Sequence, residues 1–282
     1  MEGKIDFVIS MIKQKRELSS IDSSFVMDLL NDYIEKNKPL WNSILSHPKI
    51  EKCRELKILV KDIRKKLREI HGVFNIDLNK RNKLLAELEL SIKSNAPSDE
   101  IIELHKKILL THKSTRERLN YYKSIYNEIF SITGIPKVIL DIGSGLNPIS
   151  TIFTKLKNIR YIAIEFTEED CSFLNKYFKM MHINGIAVRK DLLKHNIFPK
   201  SDVCFLFKVL DSIESIERNS SKNLLDSIDS KFIVISFPKK TLSGKDLSTK
   251  RLAWFRKIAK TYYEFEIENE VFYIIKIIKK NA

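Results

Sequence analysis

Asp141, Gly143 and Gly145 stand at alternate positions in the run Val138-Ile-Leu-Asp-Ile-Gly-Ser-Gly-Leu-Asn-Pro148. A carboxylate followed by two glycines at that spacing suits a small polar ligand held against bare backbone. The apolar residues around Asp141 read as a buried strand, and the glycines as the tight turn that ends it. Glycine takes φ values closed to other residues and lets a ligand approach the main chain. Asn147 and Pro148 then read as the cap and first residue of a helix. Strand, turn and helix together describe a nucleotide-type cofactor site. The dinucleotide fingerprint Gly-x-Gly-x-x-Gly needs a third glycine where this chain has Pro148. Asp-x-Gly-x-Gly without that glycine is the spacing of S-adenosyl-L-methionine enzymes, whose cofactor has no pyrophosphate to cradle. Glu165 ends the next apolar run, 24 residues after Asp141. That is about where a carboxylate on a second strand grips ribose hydroxyls. Taken alone, Glu165 reads equally well as a solvated strand end.

The elements that must position these groups follow from periodicity. Before the glycine motif the pattern is helical. Helices are expected over 4–18, over 24–36 behind the caps Ser23 and Ser24, and over a short stretch around Trp41, Ile44 and Leu45. A longer helix is expected over 51–70, with Leu56, Leu59, Val60, Ile63, Leu67 and Ile70 on one face. After a loop over 75–81, helices are expected over 82–91 and 99–110. Ser114-Thr-Arg-Glu117 reads as a capping box opening another helix, which ends at Gly134. After the motif, apolar runs at 161–164, 185–188, 203–207 and 232–237 alternate with helical stretches, the pattern of a parallel α/β sheet. Runs over 262–267 and 271–278 around Glu268-Asn269-Glu270 read as a terminal hairpin.

Composition bounds the partners. Fifty Lys and Arg oppose 36 Asp and Glu, a net charge of +14, enough to attract polyanions. Eleven basic residues and four acids lie between Lys52 and Lys83, so half of that surplus sits in a short stretch. Lys57, Lys61, Arg64, Lys65, Lys66 and Arg68 cover the polar side of the expected 51–70 helix. A charged helix is usually just a solvated face, but too few acids lie there to pair them, so they read as phosphate contacts. Cys53, Cys171 and Cys204 lack metal-type spacing and the six histidines are scattered, so neither a disulfide framework nor a metal site is expected. No apolar run approaches the roughly 18 residues of a membrane span, and Glu2 and Asp6 sit where a secretory leader would be basic. A cytoplasmic monomer without membrane contact is expected.

Several segments resemble one family. They are His112-Lys-Ser-Thr-Arg-Glu-Arg-Leu119, the glycine motif with its Gly-Leu-Asn-Pro, Phe205-Leu-Phe-Lys208, Ser236-Phe-Pro-Lys-Lys-Thr-Leu-Ser-Gly244, Trp254-Phe255 and the terminal hairpin. Together they resemble the aminoglycoside-resistance 16S ribosomal RNA guanine-N7 methyltransferases, the Arm/Rmt group. The chain departs from that group at Gly143-Ser144, where the group has alanine and cysteine, at Glu165, where it has aspartate, and over an apparent insertion at 38–51. The resemblance implies a Rossmann-like class I methyltransferase domain with a seven-stranded sheet over residues 106–282, and a helical, basic RNA-binding domain over 1–105. It implies S-adenosyl-L-methionine held by His112, Arg118, Asp141, Gly143, Gly145, Glu165, Phe166, Asp191 and Leu192. Within that set Arg118 would pair with the methionine carboxylate, Glu165 would hold the ribose, and Asp191 would accept from the adenine amine with Leu192 against the ring. Phe207 and Lys208 would position the reacting groups. Lys239 and Lys240 would contact RNA, and Trp254 would stack on an extruded base, though an aromatic at helical spacing also serves a core. The implied partner is structured RNA, either the small ribosomal subunit or tRNA.

The end of the fourth apolar run bears on the acceptor atom. Methylation of exocyclic amines usually places Asp or Asn and two prolines there, where this chain has Phe207-Lys208-Val209-Leu210. Methylation at a pyrimidine C5 needs a cysteine nucleophile, and Cys204 lies inside the run. Guanine N7 needs neither, because its lone pair is already nucleophilic. A nicotinamide or flavin oxidoreductase and a non-catalytic RNA-binding protein remain the alternatives from other classes.

Overall fold

The computed structural model describes residues 2–19, 21–68, 77–154, 156–194, 197–239, 246, 248, 252–259, 262–268 and 273–280. Ile70, Lys240 and residues 269–270, expected as a hairpin turn, lie outside them. The chain folds as two compact units, Met1–Asn75 with Thr167–Glu169, and Ile76–Phe166 with Asp170–Ala282. A helical N-terminal region is thus followed by a mixed α/β sheet.

The first unit holds α1 (Glu2–Lys13), α2 (Ser23–Lys36), α3 (Lys38–Ser46) and α4 (Arg54–Leu67). The α1 helix stops well before residue 18. Arg64 of α4 explains this, because its guanidinium donates to the carbonyls of Met11 and Ile12 (2.5 and 3.1 Å) and so satisfies the last turn. The cap of α2 is Asp22 rather than Ser23 or Ser24; its carboxylate accepts from the Ser24 N–H at 2.8 Å. Cys53 precedes α4, and Ile50–Lys52 forms a separate 3-10 turn, so the expected 51–70 helix begins later. Its apolar stripe is as expected: Leu56, Leu59, Val60, Ile63 and Leu67 are all buried.

The second unit opens with α5 (Leu78–Lys93), α6 (Ser98–Leu109), α7 (Lys113–Arg118) and α8 (Tyr122–Thr133). Asp77 caps α5, accepting from the Lys80 N–H, so the helix takes in residues expected to be loop. The unit that holds the sheet begins at residue 76, whereas the sequence places the division after 105. The reason is that Leu84, Leu88, Leu104 and Ile108 of α5 and α6 share one buried cluster with Ile139 and Phe205 of the sheet. Gly134, at φ +72, closes α8 by donating to the Phe130 carbonyl, as expected.

There follow β1 (Val138–Ile142), β2 (Arg160–Glu165), α9 (Glu168–Met180), β3 (Asn184–Arg189), β4 (Ser201–Phe207), α10 (Val209–Ile216), α11 (Ser220–Ser227), β5 (Ser230–Pro238), α12 (Ala253–Ala259), β6 (Tyr262–Glu268) and β7 (Tyr273–Lys280). The strand order is β3-β2-β1-β4-β5-β7-β6. The first five strands are parallel, while β7 pairs antiparallel with both β5 and β6. Alternate residues serve opposite faces. Ile139, Val203 and Phe205 join the cluster with α5, α6 and α8; Leu140, Cys204 and Leu206 join the cluster with α10 and α11. The chain leaves β1 for β2 on one side and reaches β4 on the other. That reversal opens a crevice at the carboxyl ends of β1 and β4.

Candidate active site

Asp141 lies one residue before the end of β1 and is fully buried. Its Oδ2 accepts from the Tyr161 hydroxyl at 2.5 Å and from Asn147 Nδ2 at 2.9 Å. Its Oδ1 is buried and has no hydrogen-bond partner. Burial pushes the Asp141 carboxyl up to about 6, against the pull of Tyr161, Asn147 and the Arg118 charge. A buried oxygen left unmatched is costly unless a ligand donor completes it. Asn147 therefore does not cap a helix as expected. Its side chain is spent on Asp141, and residues Asn147–Phe153 form a 3-10 helix with Pro148 in its first turn.

The turn beyond Asp141 needs both glycines. Gly143 has φ +62, and a Cβ there would meet Val209 Cγ2 at 2.7 Å; Gly145 has φ +54, and a Cβ there would meet the His112 ring at 2.8 Å. The backbone is pinned to β2, because the Gly143 N–H donates to the Ile164 carbonyl at 2.8 Å. Glu165, buried at the end of β2, closes the same turn. Its Oε1 accepts from the Gly145 N–H and the Ser144 hydroxyl, and its Oε2 from the Phe166 N–H. Burial and the nearby Asp170 charge push Glu165 up to about 7. The solvated-strand-end reading of Glu165 is thereby set aside.

The helix α7 supplies the other side of the crevice. His112 caps it, so Ser114 does not; Ser114 lies in the first turn, and Glu117 reaches away from the helix start to Lys208. The capping-box expectation is corrected on that ground. Arg118 is 2% exposed, with its guanidinium carbon 4.8 Å from the centre of the Phe207 ring and its Nε donating to the Tyr122 hydroxyl. Phe207 stacks on Phe205 with ring centres 5.0 Å apart. Lys208 follows at φ +65 and ψ 17, and its Nζ meets Glu117 Oε2 at 2.5 Å. A left-handed residue other than glycine costs roughly 1–2 kcal/mol, and such residues gather at functional sites. After β3, Asp191 turns the chain by accepting from the Leu193 N–H at 3.0 Å, and Leu192 packs on the cluster beside α10 and α11.

Arg118, Asp141, Gly143, Gly145, Glu165, Phe207 and Lys208 are thus brought to one edge, with His112 against Gly145. Local pattern gave no sign of Tyr161, Asn147 and Glu117 as partners there. The residues expected to touch RNA are held differently. Lys57, Lys61 and Lys65 are exposed, and Lys66 is half-buried. Arg64 is engaged with α1, and Arg68 pairs with Glu17 at 2.9 Å. Lys15, Lys57, Lys61, Arg64 and Arg68 line an open pocket of about 280 Å³. Trp254 packs edge-on against Phe237 and Phe255, with ring centres 6.2 and 5.9 Å away, and Lys239 follows β5. No described helix is long and apolar enough to cross a membrane.

A family model described as Ribosomal RNA methyltransferase (FmrO) matches residues 55–260. A 16S rRNA (guanine(1405)-N(7))-methyltransferase of Proteus mirabilis is 31% identical over 202 residues, covering 68% of this chain and 72% of that protein. One of Micromonospora echinospora is 27% identical over 225 residues, covering 77% and 82%. Among solved structures, the 16S rRNA methyltransferase RmtF in complex with S-adenosyl-L-homocysteine matches with a TM-score of 0.80 at 19% identity, over 100% of both chains. The 16S rRNA methylase RmtB matches with a TM-score of 0.73 at 21% identity, over 98% of both. These two likenesses establish the fold.

Proposed function

The chain belongs to the ribosomal RNA methyltransferase (FmrO) family, and from that premise we propose that it methylates N7 of a guanine in 16S rRNA, using S-adenosyl-L-methionine. The nucleotide proposed is guanine 1405, the one that names its curated relatives. The observation that carries the reading is the family match, which runs from α4 through β1 to β5 and ends at α12. The complete class I arrangement of seven strands belongs to the same reading, as do an RNA-docking role for the helical region within 1–105 and a catalytic one for 106–282.

The crevice fits the cofactor on its own terms. The unmatched Oδ1 of Asp141 is an acceptor for the methionine ammonium. Arg118, the nearby cation that draws on Asp141, suits the methionine carboxylate. The left-handed glycines, Gly143 backed by Val209 and Gly145 by His112, leave backbone for the methionine end to lie against. Glu165 and Phe166 at the end of β2 would hold the ribose, and Asp191 with Leu192 after β3 would hold the adenine. S-adenosyl-L-methionine supplies a methyl group on a positively charged sulfur.

This chain's residues then have to place, not activate. Guanine N7 carries no proton, so no general base is needed, and alignment of donor and acceptor supplies the acceleration. Phe207 and Lys208, at the end of β4, bound the place where methyl and N7 meet. Lys57, Lys61, Lys65 and Lys66, with Lys239, would take phosphates. Arg64 adds positive charge from its post against α1, while the charge of Arg68 is matched by Glu17, and Trp254 offers a half-buried ring for an extruded base.

The test is methylation of purified 30S subunits with cofactor labelled in its methyl group. Borohydride and aniline should cut 16S rRNA at the labelled guanine, and the rate at saturating cofactor should be flat from pH about 6.5 to 8.5. Label that resists the cleavage, label in tRNA instead, or a rate rising tenfold per pH unit overturns the reading.

A further inference from the structure

Two neighbouring residues of α7 grip two neighbouring residues at the end of β4. Arg118 lies over the Phe207 ring at 4.8 Å, and Glu117 Oε2 meets Lys208 Nζ at 2.5 Å. The second grip spans 91 residues of sequence and lies in a partly buried setting, with 10% of the Lys208 side chain exposed. A buried ion pair is poor evidence of a stabilising role, since apolar residues of the same size generally do as well. Lys208 also keeps a left-handed backbone, fixed by its N–H donating to the Ser236 carbonyl at 3.1 Å and by the Ser212 hydroxyl donating to its own carbonyl. The chain therefore holds this ammonium at the switch-point crevice by backbone and side chain together.

We propose that Glu117 is a positioning residue for methyl transfer: its carboxylate pins the Lys208 ammonium at the crevice, where it donates to an acceptor oxygen of the target nucleotide. The inference rests on the methyltransferase reading and adds to it the group that keeps Lys208 in service. Burial pushes its ammonium down, as do the charges of Arg118 and Lys113, and Glu117 pushes it back up through its hydrogen bond and its charge. Lysine, unlike arginine, surrenders its proton readily in such a place. Without Glu117, Lys208 becomes a neutral amine at lower pH and no longer serves as a charged donor.

The experiment measures kcat on 30S subunits from pH about 6.5 to 9.5 for wild type and E117Q. In E117Q an alkaline limb should enter the flat region, with kcat falling about tenfold per unit along it, while KM for the cofactor stays within about twofold of wild type. Adding K208R to E117Q should remove the limb, because a guanidinium stays charged throughout. E117D should restore part of the flat region, and it carries the same comparison should E117Q fold poorly. A uniform, pH-independent loss, or a limb that survives K208R, overturns the proposal. A second arm needs no turnover. With lysines labelled at Cε, the NMR signal absent from K208R should titrate at lower pH in E117Q than in wild type, and an unchanged midpoint also overturns the proposal. Wild-type protein that methylates no 30S subunit refutes the methyltransferase reading alone, and the NMR arm still decides the pair.

Discussion

On α4, Lys57, Lys61 and Lys65 stand exposed while the other side of the helix buries five apolar residues. At the carboxyl edge of the sheet Asp141 is fully buried, and Arg118 and Glu165 are 2% and 7% exposed. Exposed charges cost little to keep and act through a field that salt screens. Buried charges persist only because partners are supplied, here by Tyr161, Asn147, Ser144, Tyr122 and the backbone N–H groups of Gly145 and Phe166. The first kind of site tolerates rearrangement of its members. The second is an assembled object, in which each charge is specified by residues elsewhere in the chain.

Removing a buried charge should have the largest effect. In D141A, affinity for S-adenosyl-L-homocysteine by calorimetry should fall about 100-fold or more, since a charge-assisted hydrogen bond worth about 3 kcal/mol is lost. RNA affinity should barely move. Equal losses of both would erase the distinction between the regions.

A moderate effect is expected on the pH dependence of stability. Asp141 and Glu165 both have folded-state pKa values above their unfolded ones, about 6 against 3.8 and about 7 against 4.5. Their contribution to stability is complete below the unfolded values and is lost as pH rises through the folded ones. Ligand-free E165Q should therefore lose less stability than wild type between pH 4.5 and pH 8, on top of a pH-independent cost where its amide faces the Gly145 or Phe166 N–H. Urea melts at the two pH values measure the difference, and equal losses in the two proteins would show that the buried carboxylate is not its source.

The smallest effects belong to α4. Each reversal of Lys57, Lys61 or Lys65 to Glu should lower the slope of log K for RNA against log salt by somewhat under ~1 unit. R68M should change that slope less than any of these, because Arg68 is committed to Glu17. Its stability should shift by less than about 1 kcal/mol, as for other half-exposed ion pairs. A slope that responds to Arg68 as strongly as to Lys57 would mean that the Glu17 pair opens on RNA.

The order of legibility follows the same division. The apolar stripe of α4, the alternation of strands and helices and the stop at Gly134 are local periodicities, and the chain folds as they indicate. The Asp141-Gly143-Gly145 turn was legible because its chemistry needs those residue types at that spacing. What pattern could not show was the destination of side chains that leave their own element. Asn147 has the residue type of a cap, yet it serves Asp141; Glu117 completes a capping-box spacing, yet it serves Lys208. Tyr161 sits in an apolar run and reads as core, while its hydroxyl holds the carboxylate of a neighbouring strand. Arg64 and Arg68 look like their exposed neighbours in composition, and only packing against α1 and pairing with Glu17 separates them.

The imidazole of His112 occupies the space that a side chain at Gly145 would need, with its Cε1 and Nε2 2.8 and 2.9 Å from the position of a Cβ. The two sites are therefore mutationally entangled. A lineage drifting away from glycine at 145 would first have to shrink the residue at 112, and even then the φ of +54 would penalise the change. Either step taken alone is disfavoured, so neutral drift should leave the pair behind while the exposed lysines of α4 are shuffled. Deep mutational libraries should show the same asymmetry, with position 145 closed in every background and position 112 opening only to residues that still back the glycine turn.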